Sequence, residues 1–337
     1  MISNSSNHFK KQNDLVSSYI RIPENINTFD FDTLHIHESF VLKNIAGYIF
    51  KTFLTIYELE INESMLIKFI DCVCDNYNQN HFHNFQHAVN TLQMTYNLIV
   101  ASNIITKLKP IIVFAILIAA ISHDIDHPGN TNSYEINSVS KYAILYNDIS
   151  VLENHHCTFT FELLDNVGIL KSLKGDEFKV FRKTIITGIM GTDMSKHNEF
   201  LNKFTNFNSG SNELTLDEQY FIASALLHCA DLSNTIKKFD ISFEWSKRIS
   251  LEFTEQTIKE ELEGLPSLPF MKVHDKLTMC LNEINFIKNV SIPMWKLVKS
   301  KFDTLGFLLD RCQDTLNQWK RIETQYMCEN DINALNY

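Results

Sequence analysis

Glycine and proline are scarce, nine and six residues in a chain of 337. Sandwiches and barrels depend on the tight turns these residues make, so a β architecture is disfavoured and long helices are expected. Basic charge is short as well, with 30 Lys and Arg against 40 Asp and Glu, a net charge of −10. A nucleic-acid binder presents a basic stripe, and a chain this acidic is not expected to bind nucleic acid. One anionic small ligand stays open, because a bound cation can reverse the local field. The seven cysteines are scattered, odd in number, and form no CxxC pair. Neither a disulfide framework nor a zinc finger follows, and a reducing, intracellular compartment is expected. The longest apolar run, residues 111–121, is too short to span a bilayer. No signal peptide opens the sequence. This chain is therefore expected to be soluble, and any membrane tether would belong to a longer natural protein.

Apolar residues make up 45% of the chain, with 25 Phe, 11 Tyr and three Trp to fill a core. Residues 1–36 start polar and rich in Asn and Ser, a lead-in with little regular structure, and 37–337 read as a single domain. From residue 37 onward apolar side chains recur at helical spacing, as in Phe40, Ile45, Ile49 and Phe53. The run 111–121 reads as a buried helix entered through Pro110 at its first turn. Segments 214–232, 243–262, 277–290 and 294–319 continue the pattern, and the conspicuous breaks are 127–130, 206–212 and 263–269. The reading is one compact all-α domain without internal repeats.

Thirteen histidines are not placed at random. His83 and His87 are four apart, so a helix would direct both from one face. The buried run ends in SHDIDHPGN, which puts His123, Asp124, Asp126 and His127 at a helix end. LHCADLSN closes another apolar stretch with His228, Asp231 and Asn234. A His pair at this spacing is, by itself, more often packing than ligation. Three such clusters together point to a metal site, with imidazole and carboxylate suited to zinc beside a harder ion such as magnesium.

These strings also carry a resemblance. HNxxHA (83–88), HDxDHPGxxN (123–132), YNDxSVLENHH (146–156), TDMSKH (192–197), HCADLSN (228–234) and EGLPxxPFM (263–271) stand in one order. The chain from about residue 40 to about 320 resembles the catalytic domain of class I cyclic nucleotide phosphodiesterases. HDIDHPG, LENHHC and EGLPSLPFM look most similar to the cGMP-selective branch. The abundance of Asn, Lys and Ile resembles the usage of AT-rich protozoan genomes such as those of malaria parasites. The resemblance implies an all-helical HD-type domain that hydrolyses a 3′,5′-cyclic nucleotide with two divalent metal ions, Zn2+ and Mg2+ or Mn2+. It implies that His87, His123, Asp124 and Asp231 hold the first ion, with Asp124 shared with the second. His83 would be the acid that protonates the departing O3′, Glu153 would accept a hydrogen bond from His83, and His127 and Thr192 would hold metal-bound waters. Asp126 is read as capping its turn. A homodimer is allowed but not required.

For the base, the resemblance implies a clamp of Phe286 and Ile249, with Phe270 lining the pocket and Asn234 contacting the nucleotide beside the metals. Two positions depart from the family pattern. Phe82 replaces the Tyr that often precedes the HN motif. Glu283 stands where the family has a nearly invariant Gln. An amide donates and accepts, whereas an ionised carboxylate only accepts. Guanine offers N1–H and the 2-amino group as adjacent donors, while adenine N1 is an acceptor, so Glu283 favours cGMP. The expected activity is hydrolysis of cGMP to 5′-GMP, which ends the cyclic-nucleotide signal. The alternatives are a dual or cAMP-selective phosphodiesterase, a general HD-type phosphohydrolase, or a nucleotide-sensing domain that has lost its chemistry.

Overall fold

The computed structural model describes residues 23–335 apart from residue 58. The first 22 residues of the expected lead-in lie outside the described residues. Residues 23–38 carry no helix, yet Ile26, Phe31 and Leu34 are buried. Fifteen α-helices follow, and among the described residues there is no strand. The first four are α1 (Ser39–Tyr57), α2 (Glu63–Asp75), α3 (Phe85–Ala101) and α4 (Pro110–Ser122). Next come α5 (Asn132–Asn137), α6 (Lys141–Tyr146), α7 (Val151–Asn166) and α8 (Ile169–Ser172). Then follow α9 (Gly175–Met190), α10 (His197–Asn206), α11 (Leu216–Asp231) and α12 (Phe239–Glu263). The last three are α13 (Lys276–Phe286), α14 (Ile292–Lys301) and α15 (Phe307–Leu335).

α4 is the axis of the fold. Pro110 occupies its first turn, where the missing amide costs nothing, and every residue from Ile111 to Ser122 is buried. A helix apolar on all sides must be surrounded. Here α1, α3, α7, α9 and α11 pack against it. Gly188 lets α9 approach closely, since a Cβ there would lie 2.6 Å from Ile116 Cδ1 and 3.2 Å from Ala119 Cβ.

Two readings of helix extent need correction. His83 and His87 do not share a helical face, because α3 begins at Phe85. Asn84 adopts an extended backbone and its side chain accepts from the amides of Gln86 and His87 at 3.0 and 3.2 Å. Asn is a strong N-cap, so the HN dipeptide ends a loop rather than opening a turn of helix. Segment 294–319 is not continuous either. Phe302 turns extended, a short 3-10 turn covers Asp303–Leu305, and α15 starts at Phe307. Phe302 and Leu305 are buried in this break, which hid the polar turn from an apolar-periodicity reading.

Candidate metal centre and active site

Helix ends aim the chemistry. α4 terminates at Ser122, whose hydroxyl donates to Ile118 O at 2.7 Å, and Tyr77 Oη donates to Ile121 O at 3.1 Å. The same Tyr77 hydroxyl accepts from the Asp124 amide at 3.2 Å. His123 Nδ1–H donates to Ala120 O at 2.9 Å, which turns Nε2 toward the site. α11 opens with a capping box between Thr215 and Glu218 and ends at Asp231. Both helices therefore present their electronegative C-terminal ends, which favour cations.

Four donors converge there. His87 Nε2 lies 3.2 Å from His123 Nε2, and these atoms lie 3.0 and 3.2 Å from Asp231 Oδ1. Asp124 Oδ2 is 2.9 Å from His123 Nε2 and 3.4 Å from His87 Nε2. All four ligand atoms fall within 4.8 Å of one another. Two imidazole nitrogens so close, facing two carboxylates, form a donor set that a divalent cation would satisfy. Burial works against the Asp124 and Asp231 charges, yet the His123 ring beside them holds both carboxyls well below the usual range. A second group, Asp124, His127 and His156, meets the same distance limit. His156 Nδ1–H donates to Ile125 O at 2.6 Å, so its Nε2 lone pair faces Asp124 Oδ1 at 3.9 Å. Burial lowers the His156 pKa to about 4, which keeps that nitrogen free.

His83 sits on the rim. Its Nδ1 is held by Glu252 Oε1, while Glu252 Oε2 accepts from the amides of Phe82 and His83 at 2.9 and 3.2 Å. Burial opposes the His83 cation, but the Glu252 carboxylate outweighs it and the pKa is raised to about 9. His83 stacks on His127, with centroids 4.0 Å apart, and His127 stacks on His156 at 5.7 Å. Burial and the His83 charge hold His127 neutral, and its Nδ1 accepts from Gly129 N at 3.0 Å. Asn80 joins the two loops by donating to His83 O and His127 O at 3.0 and 2.7 Å. Gly129 has φ +78, and a Cβ there would stand 3.1 Å from Asn80 Oδ1.

The hydrogen bond expected between Glu153 and His83 is not made. Both Glu153 oxygens accept from Asn132 Nδ2, at 3.2 and 2.9 Å, and Asn132 Oδ1 accepts from Leu152 N at 2.8 Å. Burial, with Asp193 adding to it, raises Glu153 to about 7. Asn132 thus ties the start of α5 to Glu153 and Leu152 in the first turn of α7, and Glu252 takes the place beside His83. Glu252 was missed because it lies 169 residues from His83. Its signal is an acid in the inward stripe Trp245, Ile249, Glu252 and Gln256 of α12. Asp126 has φ 57 and accepts from His155 Nε2 and Tyr142 Oη, consistent with a turn residue.

Thr192 is buried and donates to Ile189 O at 2.8 Å. Asn234 lies half-buried in the 3-10 turn Ser233–Ile236 that follows α11. Ile249 and Phe286 are half-buried at the edges of two different apolar clusters. The helix widens into a π turn over Ile287–Ser291 just after Phe286. Phe270 is 55% exposed, so it is not enclosed in a pocket. Glu283 is buried, and its Oε2 has no hydrogen-bond partner. Burial pushes its carboxyl up to about 7, against a lowering contact with Ser246.

Residues 82–312 match the family model described as 3′5′-cyclic nucleotide phosphodiesterase. The chain is 34% identical over 272 residues to the human high affinity cGMP-specific 3′,5′-cyclic phosphodiesterase 9A, covering 79% of this chain and 46% of that protein. It is 32% identical over 290 residues to the human high affinity cAMP-specific and IBMX-insensitive 3′,5′-cyclic phosphodiesterase 8A, covering 79% of this chain and 35% of that one. It therefore spans less than half the length of these relatives. The solved phosphodiesterase domain of a rhodopsin phosphodiesterase from Salpingoeca rosetta superimposes with a TM-score of 0.85 at 38% identity, covering 90% of this chain and 97% of that one. The match over the site-bearing helices and the agreement in fold make this chain a member of the 3′,5′-cyclic nucleotide phosphodiesterase family.

Proposed function

We propose that the chain hydrolyses cGMP in preference to cAMP, giving 5′-GMP. The observation that carries the preference is Glu283, a buried carboxyl with an unpartnered oxygen. Guanine N1–H and its 2-amino group are two adjacent donors that would satisfy an ionised carboxylate. The 6-oxo group gains nothing from this side chain.

His87, His123, Asp124 and Asp231 would hold one ion, for which zinc suits the two-nitrogen, two-oxygen donor set. Asp124 Oδ1, facing His156, would reach a magnesium or manganese ion. Such ions generate a nucleophile from water at neutral pH and neutralise phosphate oxygens. His83, charged at pH 7 and gripped at Nδ1 by Glu252, has a proton left on Nε2 to give to O3′. His127 and Thr192 would orient water at the ions. Asn234 would contact the nucleotide, and Ile249 and Phe286 would sandwich the purine, with Phe270 closing over it only when nucleotide is bound. Glu153 would serve the second ion's waters rather than His83.

Six described cysteines are free, which supports a reducing, intracellular setting. No helix among the described residues is long and apolar enough to cross a membrane. The test is kcat/KM for cGMP and cAMP on one preparation, with and without chelator. Preference for cGMP and loss with chelator are expected, and equal efficiency on both nucleotides would refute the preference.

A further inference from the structure

The segment ahead of α1 is threaded through the back of the active site. Gln86, in the first turn of α3 between His83 and His87, donates from Nε2 to Leu34 O and Ile36 O at 2.9 and 2.7 Å. Thr33 Oγ1 donates to Gln86 O at 3.1 Å, and Arg248 Nη1 of α12 donates to Gln86 Oε1 at 2.6 Å. Further along, Gln93 Nε2 donates to Ile26 O and Thr28 O at 2.6 and 2.8 Å. Lys237 Nζ donates to Phe31 O at 2.8 Å, and Arg311 pairs with both oxygens of Asp30.

These bonds seat Leu34 in a small apolar cluster with Phe82, Ile241 and Trp245, against which Ile249 packs. The cluster is separate from the main core. Phe82 is the residue before His83, its ring lies 4.9 Å from the His83 ring and 4.7 Å from the His87 ring, and it meets Trp245 edge-on at 5.4 Å. The Phe82 amide is one of the donors to Glu252. Leu34 therefore buttresses the side chain and the backbone that set His83 against Glu252.

We propose that residues 26–36 form a strap, and that its Leu34 and the Gln86 side chain of α3 that grips it are positioning residues for His83, fixing the proton donor rather than binding substrate or metal. This rests on the reading of His83 as the acid. A shift of an ångström in a proton donor costs rate without loosening substrate binding.

The test uses the full 337-residue chain. Leu34→Ala and Gln86→Ala would each be compared on cGMP and on guanosine 5′-(4-nitrophenyl) phosphate, whose leaving group needs no proton. The expected result is a fall of about 10- to 100-fold in kcat on cGMP, with KM and bound divalent metal little changed and a fall below about threefold on the nitrophenyl ester. Leu34→Met, close in volume, should restore most of the cGMP rate and guards against a variant that merely fails to fold. Equal losses on both substrates, or no loss on either, would overturn the strap. His83→Ala is run beside them. If it loses equally on both esters, the acid assignment itself falls and the strap falls with it. If His83→Ala discriminates between the esters and the strap variants do not, the strap alone is wrong.

Discussion

Glu283 carries a pH dependence that its family position does not announce. With its carboxyl at about 7, the side chain is part neutral and part charged near physiological pH. The neutral acid has an O–H donor beside a C=O acceptor, so it can pair with adenine N1 and the 6-amino group much as an amide does. The anion pairs only with guanine. The ratio of kcat/KM for cGMP over cAMP should therefore rise between pH 6 and 8, by an amount within about 1–3 kcal/mol. Glu283→Gln should flatten that rise and narrow the ratio, and a slope that survives the substitution would remove Glu283 from base selection. The stability sign is separate. A carboxyl raised in the folded state destabilises as pH climbs from its unfolded value through about 7, so Glu283→Gln should raise Tm at pH 8 and not at pH 4. At the other end of the site, Glu252 keeps His83 protonated up to about 9. Glu252→Gln should lower kcat on cGMP by about 10²–10⁴ and move the alkaline limb of the pH–rate profile downward. An unmoved limb would mean that Glu252 only packs.

At the scale of elements, the seam between α4 and α9 is closed by a glycine. Gly188 faces Ile116 and Ala119 there, and an added methyl would meet the end of the Ile116 side chain and the Ala119 Cβ, both in residues so fully buried that Ile116 has little room to turn aside. Gly188→Ala should cost about 1–3 kcal/mol in urea unfolding, despite alanine's better helix propensity. A stabilised variant would show that the seam relaxes easily. The same elements explain what could be read in advance. Pro110 and the unbroken run behind it gave α4 nearly to the residue, because a helix buried on all sides needs no periodicity to be recognised. Loop residues were harder. Asn84 looked like one member of a motif, and only its extended backbone and two accepted amides reveal a cap that moves His83 off the helix. Phe302 and Leu305 kept the apolar rhythm going across a chain reversal. In the candidate site, the clustered histidines and aspartates come from short strings that stand out in the sequence, whereas Glu252 and Leu34 meet their partners across the chain and have no local signature. Glu153 was expected beside His83, and nothing local in the sequence announced Asn132 as its partner.

At the scale of the molecule, one cluster ties together parts of the chain that are far apart. His87 comes from the start of α3, His123 and Asp124 from the end of α4, and Asp231 from the end of α11, up to 144 residues away. Cation binding should therefore appear as folding stability. The pH dependence follows from the charges. Without a cation, the depressed Asp124 and Asp231 contribute stability above the unfolded carboxylate value, which is lost as pH falls through their folded values. His123, raised well above its usual value, contributes stability present below about 6.5 and lost as pH rises through its folded pKa. A divalent ion must displace that His123 proton, so acid favours the stripped protein and alkali the loaded one. The rise in Tm on loading with zinc and magnesium should thus be larger at pH 8 than at pH 5.5. Asp124→Ala removes the carboxylate that belongs to both candidate metal groups, so it should abolish turnover and shrink the metal-dependent rise at both pH values. A rise that is flat with pH, or equally large in Asp124→Ala, would place the cation somewhere other than among these four side chains.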